Sequence, residues 1–201
     1  MSSYKIMVKQ ISIVFLVVLG LNTAKAQNLD DFNARRLDLD KKGMTVLGSW
    51  AVANIALSPI LANAASGPKK YFHQMNGYWN GVNLLIAGLG YYGALKSEPM
   101  GLSMSQTLKE QQKLEKTLLF NAGLDLAYIA GGFYLQERAK NSTDNANRLK
   151  GFGQSLVLQG GFLFAFDVVF YLVQNNHGSK LFSMVDKLAL QPTGFKIVWD
   201  I

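Results

Sequence analysis

Charged and apolar positions in this chain are sorted into long blocks rather than into the turn-by-turn alternation of a soluble helix. No Asp, Glu, Lys or Arg lies between Met44 and Pro68, and none between Tyr71 and Leu95. Thr117 to Gln136 and Gly151 to Asn175 each hold one charged residue, Asp125 and Asp167. A helix of a soluble domain would show a polar residue every three or four positions on its outer face. Here whole turns are apolar or small all the way round, and each run reaches the roughly 20 residues that cross a hydrocarbon core. The pattern predicts four membrane-spanning helices, at Met44 to Ala64, Tyr71 to Leu95, Thr117 to Gln136 and Gly151 to Asn175.

What lies between the runs fixes their ends. Pro59 denies its helix one backbone hydrogen bond and is expected to kink or end it. Gly67-Pro68 makes the turn before Lys69 and Lys70, and Lys96 to Pro99 closes the second span. Ser103 with Gln106 reads as a capping box. It opens a third helix that begins outside the membrane, since Thr107 to Lys116 is polar. At the N-terminus, Lys5 and Lys9 precede an apolar core from Ile11 to Leu21, and Ala24-Lys25-Ala26 offers small residues at a cleavage site. This is the tripartite form of a secretory signal, too short in its core to span a membrane. Cleavage after Ala26 would leave residues 27–43 as a charge-balanced surface helix leading into the spanning domain of residues 44–177. Residues 178–201 would form an extracytoplasmic amphipathic tail. Within it, Lys180 to Leu190 suits a helix lying on the membrane, and Phe195 to Ile201 alternates with the period of a strand.

Charge then orients the bundle. Only 16% of the 201 residues are charged, against about 25% in an ordinary soluble domain. The net charge of +7 falls to +4 once the three lysines of the signal are set aside. The surplus sits in two short segments, Gly67 to Lys70 and Glu137 to Lys150, which the positive-inside rule assigns to the cytoplasm. Both mature termini are then outside, in the inner membrane. This distribution is topology information rather than a nucleic-acid footprint. Cysteine is absent, so disulfides, thiol nucleophiles and thiolate metal sites are excluded.

Two acids in apolar runs are the first candidates for chemistry. Each lies eight residues from the outer end of its span, about 12 Å deep at 1.5 Å per residue. On neighbouring antiparallel helices they can face one another, and two carboxyls together in low dielectric would not both ionise. They either bind a proton or cation, as in coupled transporters, or simply hydrogen-bond helices together. The second span adds His73, Asn76, Asn80 and Asn83, spaced three, four and three along one face. Gly77 and Gly81 allow a neighbour to approach closely. Asn54, Asn121, Gln154 and Gln159 extend the polar set, which is read as interhelical glue or as the lining of a solute cavity.

Other chemistries fit less well. His73 and His177 fall at opposite ends of their spans, too far apart for one metal or haem. Gly151-Phe152-Gly153 lacks the third glycine and the preceding strand of a dinucleotide fingerprint. Neither acid lies in the Gly-x-Gly-Asp setting of intramembrane aspartyl proteases. No Ser, His and Asp share a depth. No cofactor is expected, and no enzymatic activity.

His73-Gln74-Met75-Asn76, Trp79-Asn80, Asn121-Ala122-Gly123-Leu124-Asp125, Arg148-Leu149-Lys150-Gly151-Phe152-Gly153, Gln159-Gly160 and Phe166-Asp167 together resemble a family of small bacterial membrane proteins of unknown function. The resemblance covers about Met44 to His177 and implies a four-helix membrane protein with no activity to carry over. The sequence therefore predicts an all-α integral membrane four-helix bundle behind a cleaved signal peptide. Its partners would be the bilayer and either a second copy or another membrane protein. Its polar interior, with Asp125, Asp167, Asn121, Asn54, His73, Asn76, Asn80 and Asn83, would bind a partner or small solute. The alternative is coupled transport through the two acids.

Overall fold

The computed structural model describes the backbone of residues 2–189 and the side chains of residues 29–181. Within them there are four helices and no strand: α1 (Ser2–Ala64), α2 (Gly67–Lys96), α3 (Met104–Ala139) and α4 (Ala146–Ala189). The strand-like segment from Phe195 to Ile201 lies outside the described residues. By length and composition, α1 from Leu29, α3, and α4 as far as Leu181 can each cross a membrane. The 30-residue α2 is long enough, but Asn76, Asn80, Asn83 and its tyrosines lower its apolar character.

Of the kink or end expected at Pro59, the end does not occur, because α1 continues to Ala64; one missing N–H at the last turns costs a helix little of its ladder. Two expectations are corrected. The tail beginning at residue 178 is not a separate surface helix, since α4 runs unbroken through it to Ala189 and buries Leu181. Residues 29–43 are likewise not a free surface helix. They continue α1, and Phe32, Asn33, Arg36 and Leu37 are buried.

The turns follow the local chemistry. Gly67 takes φ 55° and Gly101 φ 77°, a left-handed backbone that glycine adopts without a Cβ clash. Pro68 stands in the first turn of α2, where its missing N–H is an orphan anyway. The capping box forms: Ser103 N and Oγ donate to Gln106 Oε1 at 2.8 and 2.9 Å, and Gln106 N donates to Ser103 Oγ.

The chain divides into two compact units, one of Met1–Ile60 with Gly77–Lys109 and one of Leu61–Asn76 with Glu110–Ile201. In the first, α1 packs on the later part of α2. A Cβ on Gly77 would stand 3.0 Å from the Ser58 side chain, so this glycine permits the close approach expected of it; Gly81 meets nothing within 4 Å and does not. The lead-in of α1 is tied down at both ends of the α2–α3 connection. Asn33 Nδ2 donates to Thr107 Oγ1 at 2.9 Å, and Asp30 Oδ1 accepts from Gly101 N at 2.9 Å. Its exposed face carries Asp38 between Arg35 and Lys42, both at 2.9 Å.

In the second unit, α3 and α4 run antiparallel along a seam that repeats every seven residues. On α3 the seam passes through the buried Gln111, Leu118, Asp125, Gly132 and Ala139, and on α4 through the buried Gly153, Gly160, Asp167, Gln174 and Leu181. A seven-residue repeat is the signature of left-handed supercoiling. Here glycine and polar residues hold seven of the ten seam positions, with Leu118, Ala139 and Leu181 at the others. The first turns of α2 close on α4 at Gly151, where a Cβ would collide with Pro68 O, Phe72 N and Tyr71 Cβ.

Candidate functional site

Burial in both units is inverted relative to a soluble protein. Among the described residues, fourteen buried side chains are polar or charged and twelve are hydrophobic, six of those being alanine. Val52, Leu57, Ile60, Leu85, Leu89, Phe120, Leu126, Phe133, Val169 and Leu172 point outward and are more than half exposed. Buried polar groups in a stable fold are hydrogen-bonded, so each has to be followed to its partner.

The most buried charged groups are Asp125 and Asp167, 3% and 6% exposed. Their carboxyls lie close enough to interact. The backbone explains why. Asp125 lies against Gly160, whose Cβ would stand 2.9 Å from the Asp125 carbonyl oxygen, and Asp167 follows two turns later on α4. Side chains on a helix lean toward its N-terminus. On antiparallel helices this tilts Asp125 and Asp167 toward each other across that offset. Two carboxyls can hydrogen-bond only through a proton that one of them carries. Asp125 Oδ2 is buried and has no hydrogen-bond partner among the described residues.

Two further polar layers flank the pair. Toward the start of α3, Gln111 Nε2 donates to the Gln174 carbonyl and to Glu115 Oε1, both at 2.8 Å. Gln111 Oε1 is buried without a partner among the described residues, and Gln174 and His177 are buried beside this layer on α4. On the α2-facing side of α4, Gln159 donates to Asn76 Oδ1. Ser155, one turn earlier, is fully buried with its hydroxyl unpartnered among the described residues.

The remaining expected site residues divide between the units. Asn80 and Asn83 are buried in the first unit, where Asn83 Nδ2 donates to Asn80 Oδ1 at 3.3 Å. Asn54 is half-buried there and turns back on its own helix, donating to the Trp50 carbonyl at 2.8 Å. In the second unit, His73 is half-buried with its ring edge-on to Phe72 at 5.1 Å. Asn121 and Gln154 are half-buried. His73 sits near Gly151, at the opposite end of α4 from His177. The 26 residues between Gly151 and His177 rise about 39 Å, which separates the histidines as expected. Among the described residues no group of His, Asp and Glu is arranged to hold a metal.

Of the residues singled out from the sequence, Asp125, Asp167, Asn76 and Gln159 are buried in the second unit. Sequence reasoning missed Gln111, Gln174 and Ser155, and the docking of Asp30 and Asn33. The signal for the first two was the seven-residue recurrence of small and polar positions through Gly153, Gly160, Asp167 and Gln174.

No curated protein and no solved structure matches the chain. One family does match, over residues 46–168, a stretch that holds both acids and the whole Asn76–Asn83 stripe. On that match the chain belongs to the family of unknown function DUF6992.

Proposed function

We propose that this is a non-enzymatic, multi-pass protein of the inner membrane whose polar helix interior binds a partner or a small solute. The inverted burial carries the reading: polar side chains line the inside of each unit while large apolar ones cover the outside, the arrangement that lipid requires. Four spans are favoured over three because α2 keeps its asparagines inward and its leucines outward, which offsets its lower apolar content. The short basic segments before α2 and between α3 and α4 support cytoplasmic placement of both and outside placement of the mature termini. The N-terminal charge pattern supports removal of the signal after Ala26.

Localisation tests the first part. The protein should resist alkaline extraction from membranes and require detergent. Reporter fusions after residues 100 and 201 should be active outside, and one after residue 143 active inside. A chain that leaves the membrane in carbonate, or a C-terminal reporter active in the cytoplasm, would sink the proposal.

A second reading is favoured by one specific observation, the contact between Asp125 and Asp167. In it the pair binds a proton or cation that is coupled to solute movement, and a dimer supplies the additional helices. Asp125→Asn and Asp167→Asn preserve shape and hydrogen bonding while abolishing titration. Proton uptake by reconstituted vesicles should disappear in both variants; uptake equal to wild type would remove the reading.

A further inference from the structure

An open groove of about 630 Å³ runs along the first unit, between residues 44–53 of α1 and 84–91 of α2. Val52, Leu84 and Tyr91 stand exposed at its rim, and the buried Ala87 belongs to its floor. The two helices meet there, since a Cβ on Gly48 would stand 3.6 Å from Ala87 Cβ. A Cβ on Gly88 would meet nothing within 4 Å, so this glycine leaves the groove deeper than any other residue would.

The wall is apolar in effect as well as in composition. Its two hydroxyls turn back into their own helix: Thr45 Oγ1 donates to the Lys41 carbonyl at 2.8 Å and Ser49 Oγ to the Thr45 carbonyl at 2.7 Å. No donor is left for a polar solute on these two side chains, so the groove suits hydrocarbon. Residues 44–53 rise about 14 Å, close to half of a hydrocarbon core about 30 Å thick. The groove is therefore as long as one leaflet is deep. Over that length its volume corresponds to a section of about 45 Å², against about 80 Å² for a helix 10 Å across. It seats a chain rather than a helix.

Charge at the mouth says what the chain carries. Lys41 lies three, four, seven and eleven residues before Met44, Thr45, Gly48 and Val52, hence on the face of α1 that lines the groove. Helical side chains lean toward the N-terminus, which takes the Lys41 amine away from the hydrocarbon and up to headgroup level. Lys41 forms no ion pair among the described residues. Its neighbour Lys42 is held by Asp38 at 2.9 Å, and the same Asp38 oxygen also binds Arg35. Lys96 lies over the Tyr92 ring at 5.8 Å. Tyr91, at the α2 side of the mouth, is of a residue type that favours the membrane interface.

We propose that the groove seats one acyl chain of an outer-leaflet phospholipid whose anionic headgroup is held by Lys41. The site lies on the lipid-facing side of the first unit, apart from the polar interior, and rests on the membrane placement and orientation given above.

The test uses the full chain, stripped of lipid in mild detergent. Dioleoylphosphatidylglycerol and zwitterionic dioleoylphosphatidylcholine are added separately, and native mass spectrometry reads the lipid retained per chain. The anionic lipid should be retained at one per chain, roughly fivefold more tightly than the zwitterionic one, as expected for one lysine at a lipid surface. Lys41→Gln should erase that preference and leave phosphatidylcholine retention unchanged. Gly88→Leu fills the groove without a clash in its own fold and should weaken both lipids. Gly93→Leu is the control: its Cβ also meets nothing within 4 Å, and it lies five residues further along α2, outside the groove lining. It should retain both lipids like wild type. Equal retention of the two lipids by wild type, or an unchanged preference in Lys41→Gln, overturns the headgroup assignment. Wild-type lipid retention by Gly88→Leu overturns the groove. So does loss of a dimer in Gly88→Leu with lipid per chain unchanged, which would make the groove an interface between copies. Alkaline extraction and the reporter fusions decide the membrane reading separately, so a chain that stays in the membrane yet shows no lipid preference sinks this site alone.

Discussion

Substituting Gly153 by alanine tests the backbone contact on which the second unit is built. The added methyl would sit 2.5 Å from Gly132 O, 2.8 Å from Gln136 Cγ and 3.1 Å from Gln136 N, where ordinary contact begins at 3.4 Å. Gln136 Cγ can swing away, but the Gly132 carbonyl is held in the helix ladder. Relief therefore requires α3 and α4 to part by about 1 Å, and overpacking of that kind costs roughly 1–3 kcal/mol. Alanine also favours helix over glycine by about 1 kcal/mol, which would mask part of the loss. Gly161→Ala removes that ambiguity: it gains the same propensity, and its Cβ meets nothing within 4 Å. The difference between the two variants isolates the overpacking. For a chain of this size it corresponds to a melting-temperature gap of roughly 2–12 °C, read by circular dichroism in detergent. Gly132→Ala should behave like Gly153→Ala. The double variant should cost less than the two added together, because helices already parted accommodate the second methyl. If Gly153→Ala and Gly161→Ala melt within about 1 °C of each other, the helices do not touch through their backbones there.

The other expected outcomes concern polar links. Gln159→Leu removes the donor to Asn76 Oδ1 across the α2–α4 contact and should cost about 1–2 kcal/mol by thermal unfolding in detergent. Adding Asn76→Leu should recover part of that loss, since two apolar partners leave no stranded acceptor; a further loss of the same size would refute the link. Ser103→Ala dismantles the capping box at the start of α3 and should cost about 1 kcal/mol. Ser103→Asn should recover most of it in the same assay.

The four helices were legible because their signal is compositional: a helix wrapped in water needs charge on its outer face every turn or two, and these runs carry almost none. Turn and cap positions were legible too, since Gly67-Pro68 and Ser103-x-x-Gln106 encode backbone geometry directly. Where the sequence misled, a residue was judged by its own chemistry instead of its neighbours'. The charges at Asp30, Arg35, Arg36, Asp38 and Asp40 suggested a solvated lead-in. Asn33 and Asp30 instead find partners 74 and 71 residues away, and no local pattern announces contacts of that separation. The break expected after His177 falls at Gly178, a residue type that commonly closes helices. Inside α4 this glycine instead makes room for Glu115 and Gln111. The seam escaped notice for a related reason, because a heptad search looks for apolar residues and here the repeat runs through glycine, aspartate and glutamine.

That substitution follows from the solvent. In lipid, apolar side chains gain nothing by turning inward, so helices associate through close backbone packing and polar links. Most inward positions on such a seam are then either small or hydrogen-bonding, and an acid placed there for structure looks at first like an acid placed there for function. Two carboxyls can hydrogen-bond only through a proton that one of them carries, and Asp125 and Asp167 lie close enough to interact. An asparagine at 125 could link the helices equally well, and its side chain would not titrate. The pairing of acid with acid, rather than of acid with amide, is therefore the structural reason to look for a proton or cation here, and it is why the asparagine variants discriminate between glue and chemistry.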